Sequence, residues 1–100
     1  MAESLPKVVM TVVWKALPGS ENAVADILRQ MVEPTRAETG CLAYEVSRSV
    51  HDPATFLLYE VYEDQRGLDQ HQASDHFQRL VVSQAMPLLE SRKRAFYRPL

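Results

Sequence analysis

The first long apolar stretch, Lys7–Leu17 (KVVMTVVWKAL), is rich in Val and Thr and stops at Pro18-Gly19, which predicts a β-strand. Its alternating positions make two faces: Val8, Met10, Val12 and Trp14 on one, Val9, Thr11, Val13 and Leu17 on the other. Both are largely apolar, so this strand requires cover on each side. After it the period changes. Ser20 stands at an N-cap position with Glu21 in the first turn, and Val24, Ile27, Leu28 and Met31 recur at helical spacing. Pro34 is expected to kink or end this helix near Val32 or Glu33, and Gly40 to break the chain before the next element. Cys41–Ser49 (CLAYEVSRS) and Thr55–Tyr62 (TFLLYEVY) read as strands joined through the turn chemistry of His51-Asp52-Pro53. Asp64 and Ser74 are positioned to cap two short helical segments, one carrying Leu68 and His71, the other Phe77, Leu80 and Val81. Pro87 interrupts the second, and Arg92–Arg98 (RKRAFYR) is predicted as the last strand.

The resulting order, β-α-β-β-α-β, is that of a ferredoxin-like α+β fold, an antiparallel sheet with helices on one face. Helices on one face leave the other bare. Here the bare face would present apolar residues of the first and third strands to water, a larger patch than monomers usually tolerate. Sheet-to-sheet pairing of two copies is the simplest cover, so a homodimer is expected.

Composition narrows the class. A chain of 100 residues, 46% apolar and 24% charged, has room for one hydrophobic core and is not disordered in bulk. A single domain is expected across residues 7–100, behind a loose tail, residues 1–6, in which Pro6 cannot donate to a ladder. No apolar run approaches the roughly 18 residues that cross a bilayer, and Met1–Lys7 lacks a signal-peptide layout, so a cytoplasmic protein is expected. A net charge of −2 gives no general reason to bind nucleic acid. The lone Cys41 excludes an internal disulfide and leaves too few thiols for a structural zinc site.

The candidate chemistry gathers in the second half. His71 and His76 lie either side of the Ala73-Ser74 break, and an imidazole is a natural general base near neutral pH. Their spacing of five is not the usual helical metal-ligand pair, and the spacing argument offers no third ligand, so no metal is expected. Glu60, between Leu58 and Tyr62 on one strand face, would be partly buried. Such a carboxylate is either hydrogen-bonded in place or carries a raised pKa, and it serves structure or proton transfer accordingly. Trp14, Tyr44, Tyr62 and Phe77 could wall an aromatic cavity, although aromatic residues at strand spacing commonly form plain core. Arg92, Lys93, Arg94 and Arg98 either blunt a strand edge or hold an anionic group such as phosphate. There is no Gly-rich phosphate loop, nucleophile elbow or dinucleotide fingerprint, so flavin and nicotinamide have no visible binding motif.

The stretch Glu33-Pro34-Thr35-Arg36-Ala37-Glu38-Thr39-Gly40-Cys41, then Tyr44, then Phe56–Phe77 (FLLYEVYEDQRGLDQHQASDHF), resembles the antibiotic biosynthesis monooxygenase family. Its marks are an E-x-G-C-x-x-Y turn and E-x-aromatic followed by paired histidines and an aromatic; the likeness spans roughly residues 7–97. The resemblance implies a dimeric ferredoxin-like α/β barrel. It implies oxidation of a small phenolic or quinol-like substrate by dioxygen without a cofactor, the deprotonated substrate supplying the electrons. His71 and His76 would then be the bases, Glu60 the orienting group, and Trp14, Tyr44, Tyr62 and Phe77 the cavity wall. Family members often carry Trp where this chain has Tyr62. Haem-degrading relatives use Asn, Trp and His where this chain has Val12, His71 and Val81, which argues against haem. YEVYEDQRGLDQH, SDHF and RKRAFY are also similar to an isomerase of the phosphorylated autoinducer-2 signal, for which His71 or His76 would be acid/base and Arg92, Lys93 or Arg94 the phosphate site. A basic residue expected near Leu42-Ala43 in that branch is missing. A non-catalytic dimer that binds a small ligand is the third possibility.

Overall fold

The computed structural model describes residues 6–100, so the expected tail lies outside the described residues except for Pro6. The chain forms β1 (Val8–Ala16), α1 (Glu21–Arg36), β2 (Cys41–Arg48), β3 (Thr55–Tyr62), α2 (Gln65–Ala73), a π-helical segment (Phe77–Ala85), a 3-10 turn (Met86–Leu88) and β4 (Leu89–Tyr97). The strands make one antiparallel sheet in the order β2-β3-β1-β4. This is the ferredoxin-like α+β arrangement, its second helix split in two.

Three local expectations are corrected. Ser20 occupies the N-cap position of α1 but makes no side-chain capping bond; the Glu21 carboxylate instead accepts from the Gly19 N–H at 3.0 Å. Pro34 does not stop α1, which runs to Arg36. So near the helix end a proline forfeits only the bond its missing N–H would have made to residue 30. β4 begins at Leu89, three residues before the predicted start, because Leu17 N–H already donates to Leu88 O at 2.8 Å and draws the chain into the sheet. The caps of the second helical region hold as read. Asp64 accepts from the Gly67 N–H at 3.1 Å, and Ser74 Oγ accepts from the Phe77 N–H at 3.2 Å while donating to the His71 carbonyl at 2.6 Å. Beyond Ser74 the turns widen until the Met86 N–H reaches Val81 O, five residues back.

Strand alternation sends Met10, Val12 and Trp14 of β1 and Phe56, Leu58, Glu60 and Tyr62 of β3 to the inner face, under Val24, Leu28 and Met31 of α1 and Leu80 and Val81 of the π-helical segment. The helices lie over β2 and β3, and cover of β4 is thin: on its inner face Arg92 is half-buried, Arg94 is exposed and Phe96 is 54% exposed. On the opposite face Val13, Leu57 and Tyr59 are exposed, so the chain alone leaves bare the apolar face that its pattern predicted. Among the described residues no helix is long and apolar enough to cross a membrane.

Candidate functional site

The site begins with two glycines. Gly40, in the turn after α1, packs back to back with Gly67 of α2, so closely that a Cβ on Gly40 would sit 2.8 Å from Gly67 Cα. A side chain at Gly40 would collide with the Gly67 backbone, and one at Gly67 would press on the Gly40 carbonyl at 3.0 Å. This contact brings the α1–β2 turn, and with it Glu38, against the buried face of α2, and that face carries His71.

Glu38 joins both histidines. Its Oε2 lies 2.8 Å from His71 Nδ1 and 2.6 Å from His76 Nε2. A carboxylate can only accept, so each imidazole nitrogen donates to it. His71 Nε2 then faces a second carboxyl, the buried Glu60, at 3.7 Å from Oε1, and the Tyr62 hydroxyl donates to the same Oε1 at 2.6 Å. The chain His76–Glu38–His71–Glu60–Tyr62 therefore runs from a partly exposed end into the core, where His71 is 2% and Glu60 4% exposed.

Aromatic rings enclose His71: Tyr62 at 5.3 Å between centroids, Tyr44 at 5.8 Å and Phe77 edge-on at 5.1 Å. Burial pushes the Glu60 carboxyl above its ordinary range, against the opposing pull of the Tyr62 hydrogen bond, His71 and Arg92. Burial, reinforced by the Glu60 charge, pushes both Tyr44 and Tyr62 well up, which keeps their hydroxyls protonated. Cys41 is also raised, by burial and by Glu38 and Glu60, as expected of an inert thiol.

Most of the residues singled out in the sequence converge here: His71, His76, Glu60, Tyr44, Tyr62 and Phe77. Arg92 approaches from β4 on the same face, its guanidinium carbon 6.0 Å from the Phe77 ring centre and its Nε buried without a hydrogen-bond partner among the described residues. Burial and the neighbouring Arg94 lower its pKa. Two residues do not join. Trp14 pairs with Phe56, whereas Met10 is the β1 partner of Glu60, so Trp14 is four residues, about 13 Å, along the strand. Arg94 is exposed and lies over Phe96 at 5.5 Å. The space expected between sheet and helices at His71 is filled by the rings themselves. An open cleft lies beside it on the thinly covered side, lined by Lys7, Val8, Gln65, Phe96, Tyr97 and Arg98.

Glu38 was not among the candidates. It precedes His71 by 33 residues and sits in the E-x-G-C turn, where it reads as part of a signature and of no site. A further signal was available in Gly67: a glycine inside a helix costs about 1 kcal/mol against alanine and commonly marks a close packing contact.

Comparison with known proteins gives a consistent result. The family model described as "Antibiotic biosynthesis monooxygenase" matches residues 7–82. The Mycobacterium tuberculosis protein named "Putative monooxygenase Rv0793" is 37% identical over 60 residues, which are 60% of this chain and 58% of that protein. The matched region thus spans somewhat more than half of that relative's length. The crystal structure of PA3566 from Pseudomonas aeruginosa superposes with a TM-score of 0.92 at 30% identity, covering 99% of both chains. The structure of Rv0793 from Mycobacterium tuberculosis gives 0.86 at 28% identity, over 94% of this chain and 95% of the other.

Proposed function

The chain belongs to the antibiotic biosynthesis monooxygenase family, and from that premise we propose that it oxidises a small phenolic or quinol-like molecule with dioxygen, using the substrate itself as electron donor. The observation that carries this reading is the setting of His71. Glu38 accepts from Nδ1, which fixes the tautomer and leaves Nε2 as the basic nitrogen, turned toward the interior among Tyr44, Tyr62 and Phe77. His71 is the base and Glu38 its positioning residue.

For an anthrone-type substrate the balance is simple. His71 removes a proton and the carbanion reduces dioxygen. One oxygen atom stays on carbon as a carbonyl, and the other leaves as water with the two hydrogens of that carbon. The aromatic surroundings exclude bulk water from the anion. To admit the substrate the rings around His71 would have to part on the side of β4, where the Arg92 guanidinium beside Phe77 would meet an anionic oxygen.

The same reading includes a homodimer paired through the bare sheet face, since Val13, Leu57 and Tyr59 are otherwise left to water. Light scattering should report a dimer for the native chain and a monomer for Leu57→Glu. A native monomer at micromolar concentration removes this part.

Oxygen uptake over a panel of hydroquinones, naphthols and anthrones, corrected for autoxidation, tests the reaction. His71→Ala should slow turnover by roughly 10²–10⁴, the usual contribution of a general base. Glu38→Gln should retain more activity but shift the pH profile. An unchanged rate in folded His71→Ala protein rejects the assignment. The orphaned Nε of Arg92 favours one other reading, isomerisation of a small phosphorylated signal. Arg92→Ala should then weaken phosphorylated ligands selectively, and equal affinity for phosphorylated and unphosphorylated forms excludes it.

A further inference from the structure

We propose that Glu38, His71 and His76 together bind one divalent transition-metal ion of the zinc or cobalt class. Histidine spacing alone supplies two ligands in an unusual register. The fold supplies the third, because the Gly40–Gly67 contact presses the α1–β2 turn onto α2. One ligand atom from each of the three side chains lies within 4.8 Å of the other two. Two imidazole nitrogens and one carboxylate oxygen suit zinc, cobalt, nickel or iron, and do not suit the all-oxygen preference of calcium and magnesium.

The geometry is close to what an ion needs. At ligand distances of about 2.1 Å, neighbouring donors around a tetrahedral ion stand about 3.4 Å apart. The present separations of 2.6 and 2.8 Å hold shared hydrogens. An ion replacing those hydrogens requires each imidazole nitrogen to move away from the Glu38 oxygen by somewhat over half an ångström. Glu38 and His76 are the partly exposed members, 15% and 16% by side chain, so an ion arrives from their side and keeps a water in its open position.

An outer layer is already in place. A metal-bound histidine ordinarily directs its other nitrogen to a carboxylate, which orients the ring. His71 Nε2 faces Glu60 Oε1 at 3.7 Å, and Tyr62 fixes that oxygen with its 2.6 Å hydrogen bond.

Binding has a consequence that rests on the base role proposed for His71. With the ion on Nδ1, the ring proton moves to Nε2 and His71 can no longer accept one. Metal occupancy and base catalysis are then mutually exclusive, and zinc would inhibit.

Tag-free protein, treated with chelator and dialysed, would be titrated with Zn²⁺ by calorimetry and with Co²⁺ by visible absorption. The expected result is one ion per chain, with cobalt d–d bands of a low-coordinate nitrogen and oxygen site. Affinity should fall at least tenfold in Glu38→Gln, a near-isosteric change, and in His76→Ala, with His76→Gln as the substitute if the alanine variant does not fold. His51→Ala, in the exposed β2–β3 turn, should bind as the native chain does. Absence of binding overturns the proposal, as does binding that Glu38→Gln and the His76 variant leave unchanged. Oxygen uptake separates the two readings. Zinc that binds and inhibits supports both, whereas zinc that binds without inhibiting keeps the metal site and rejects His71 as the base.

Discussion

Hydrogen-bonded carboxylates mark the two ends of β3, one in the turn before it and one near its close, and the two settings differ in almost every respect. Before the strand, Asp52 accepts from Thr55 Oγ1 at 2.7 Å, from the Ala54 N–H at 3.1 Å and from Lys15 Nζ at 3.2 Å. Ser49 Oγ accepts from the N–H groups of His51 and Asp52. Apart from Lys15, everything lies within seven residues and near solvent. Such a cluster ties a turn, and its charges cost little because water still reaches them. At the other end Glu60 is buried, and its neighbours Tyr62, His71, Glu38 and His76 come from three separate parts of the chain. Burying several ionisable groups together is expensive unless each is partnered, and an apolar core of the same volume would be as stable or more so. That cost is what marks this end of β3 as the candidate site. The lesson is to weigh a polar cluster by how far along the chain its members are gathered and how deeply they are buried.

The sharpest way to break this contrast is to separate the distant members. Gly40→Ala forces a Cβ against the Gly67 backbone, which no rotamer change relieves. Urea unfolding should show a loss of about 3 kcal/mol, the upper part of the overpacking range. In whatever folded protein remains, the His71 Nδ1–H resonance in nitrogen-resolved NMR should move, as the turn withdraws Glu38. Native stability with an unmoved resonance would mean that the glycine pair does not set the site.

A smaller effect is expected within the buried cluster. Tyr62→Phe removes the donor to Glu60 and leaves a buried acceptor, which should destabilise the fold by about 1.5 kcal/mol. Made together with Glu60→Leu, the same change should be much milder. A double-mutant cycle on urea midpoints would give the coupling directly. Additive effects would show that the two groups do not depend on each other.

The same contrast explains what could be read in the sequence. Strand alternation, the α1 stripe of Val24, Ile27, Leu28 and Met31, the Asp64 and Ser74 caps and the His51-Asp52-Pro53 turn are all local, and they led to the element order and the sheet. Glu60 and Tyr62 were legible as neighbours on one strand face. Gly40 was legible only as a helix breaker, because its packing role needs Gly67, which lies 27 residues on. Glu38 was hidden for the same reason. Trp14 was placed on the correct face but at the wrong level along it, since alternation reports the side of a strand and says nothing of the register opposite. The extent of β4 depended on a backbone bond from Leu17, which no pattern within residues 89–97 reveals.

The smallest effect belongs to the exposed turn and has a definite sign in pH. Hydrogen bonds from Thr55 and Ala54, then Lys15, hold the Asp52 carboxyl below its ordinary 3.8. A carboxylate whose folded-state pKa is depressed contributes stability above its unfolded value and loses it as pH falls through the folded one. Asp52→Asn removes the charge. The variant should therefore melt slightly below the native chain at pH 7, and the difference should shrink as pH drops beneath about 3.8. Thermal melts from pH 7 to pH 2 would check this. A gap that persists at low pH would assign the contribution of Asp52 to the shape of the turn, because only the ionised carboxylate is lost on acidification. A gap that closes would assign it to charge, and the two ends of β3 would then differ in what their carboxylates do as well as in where they sit.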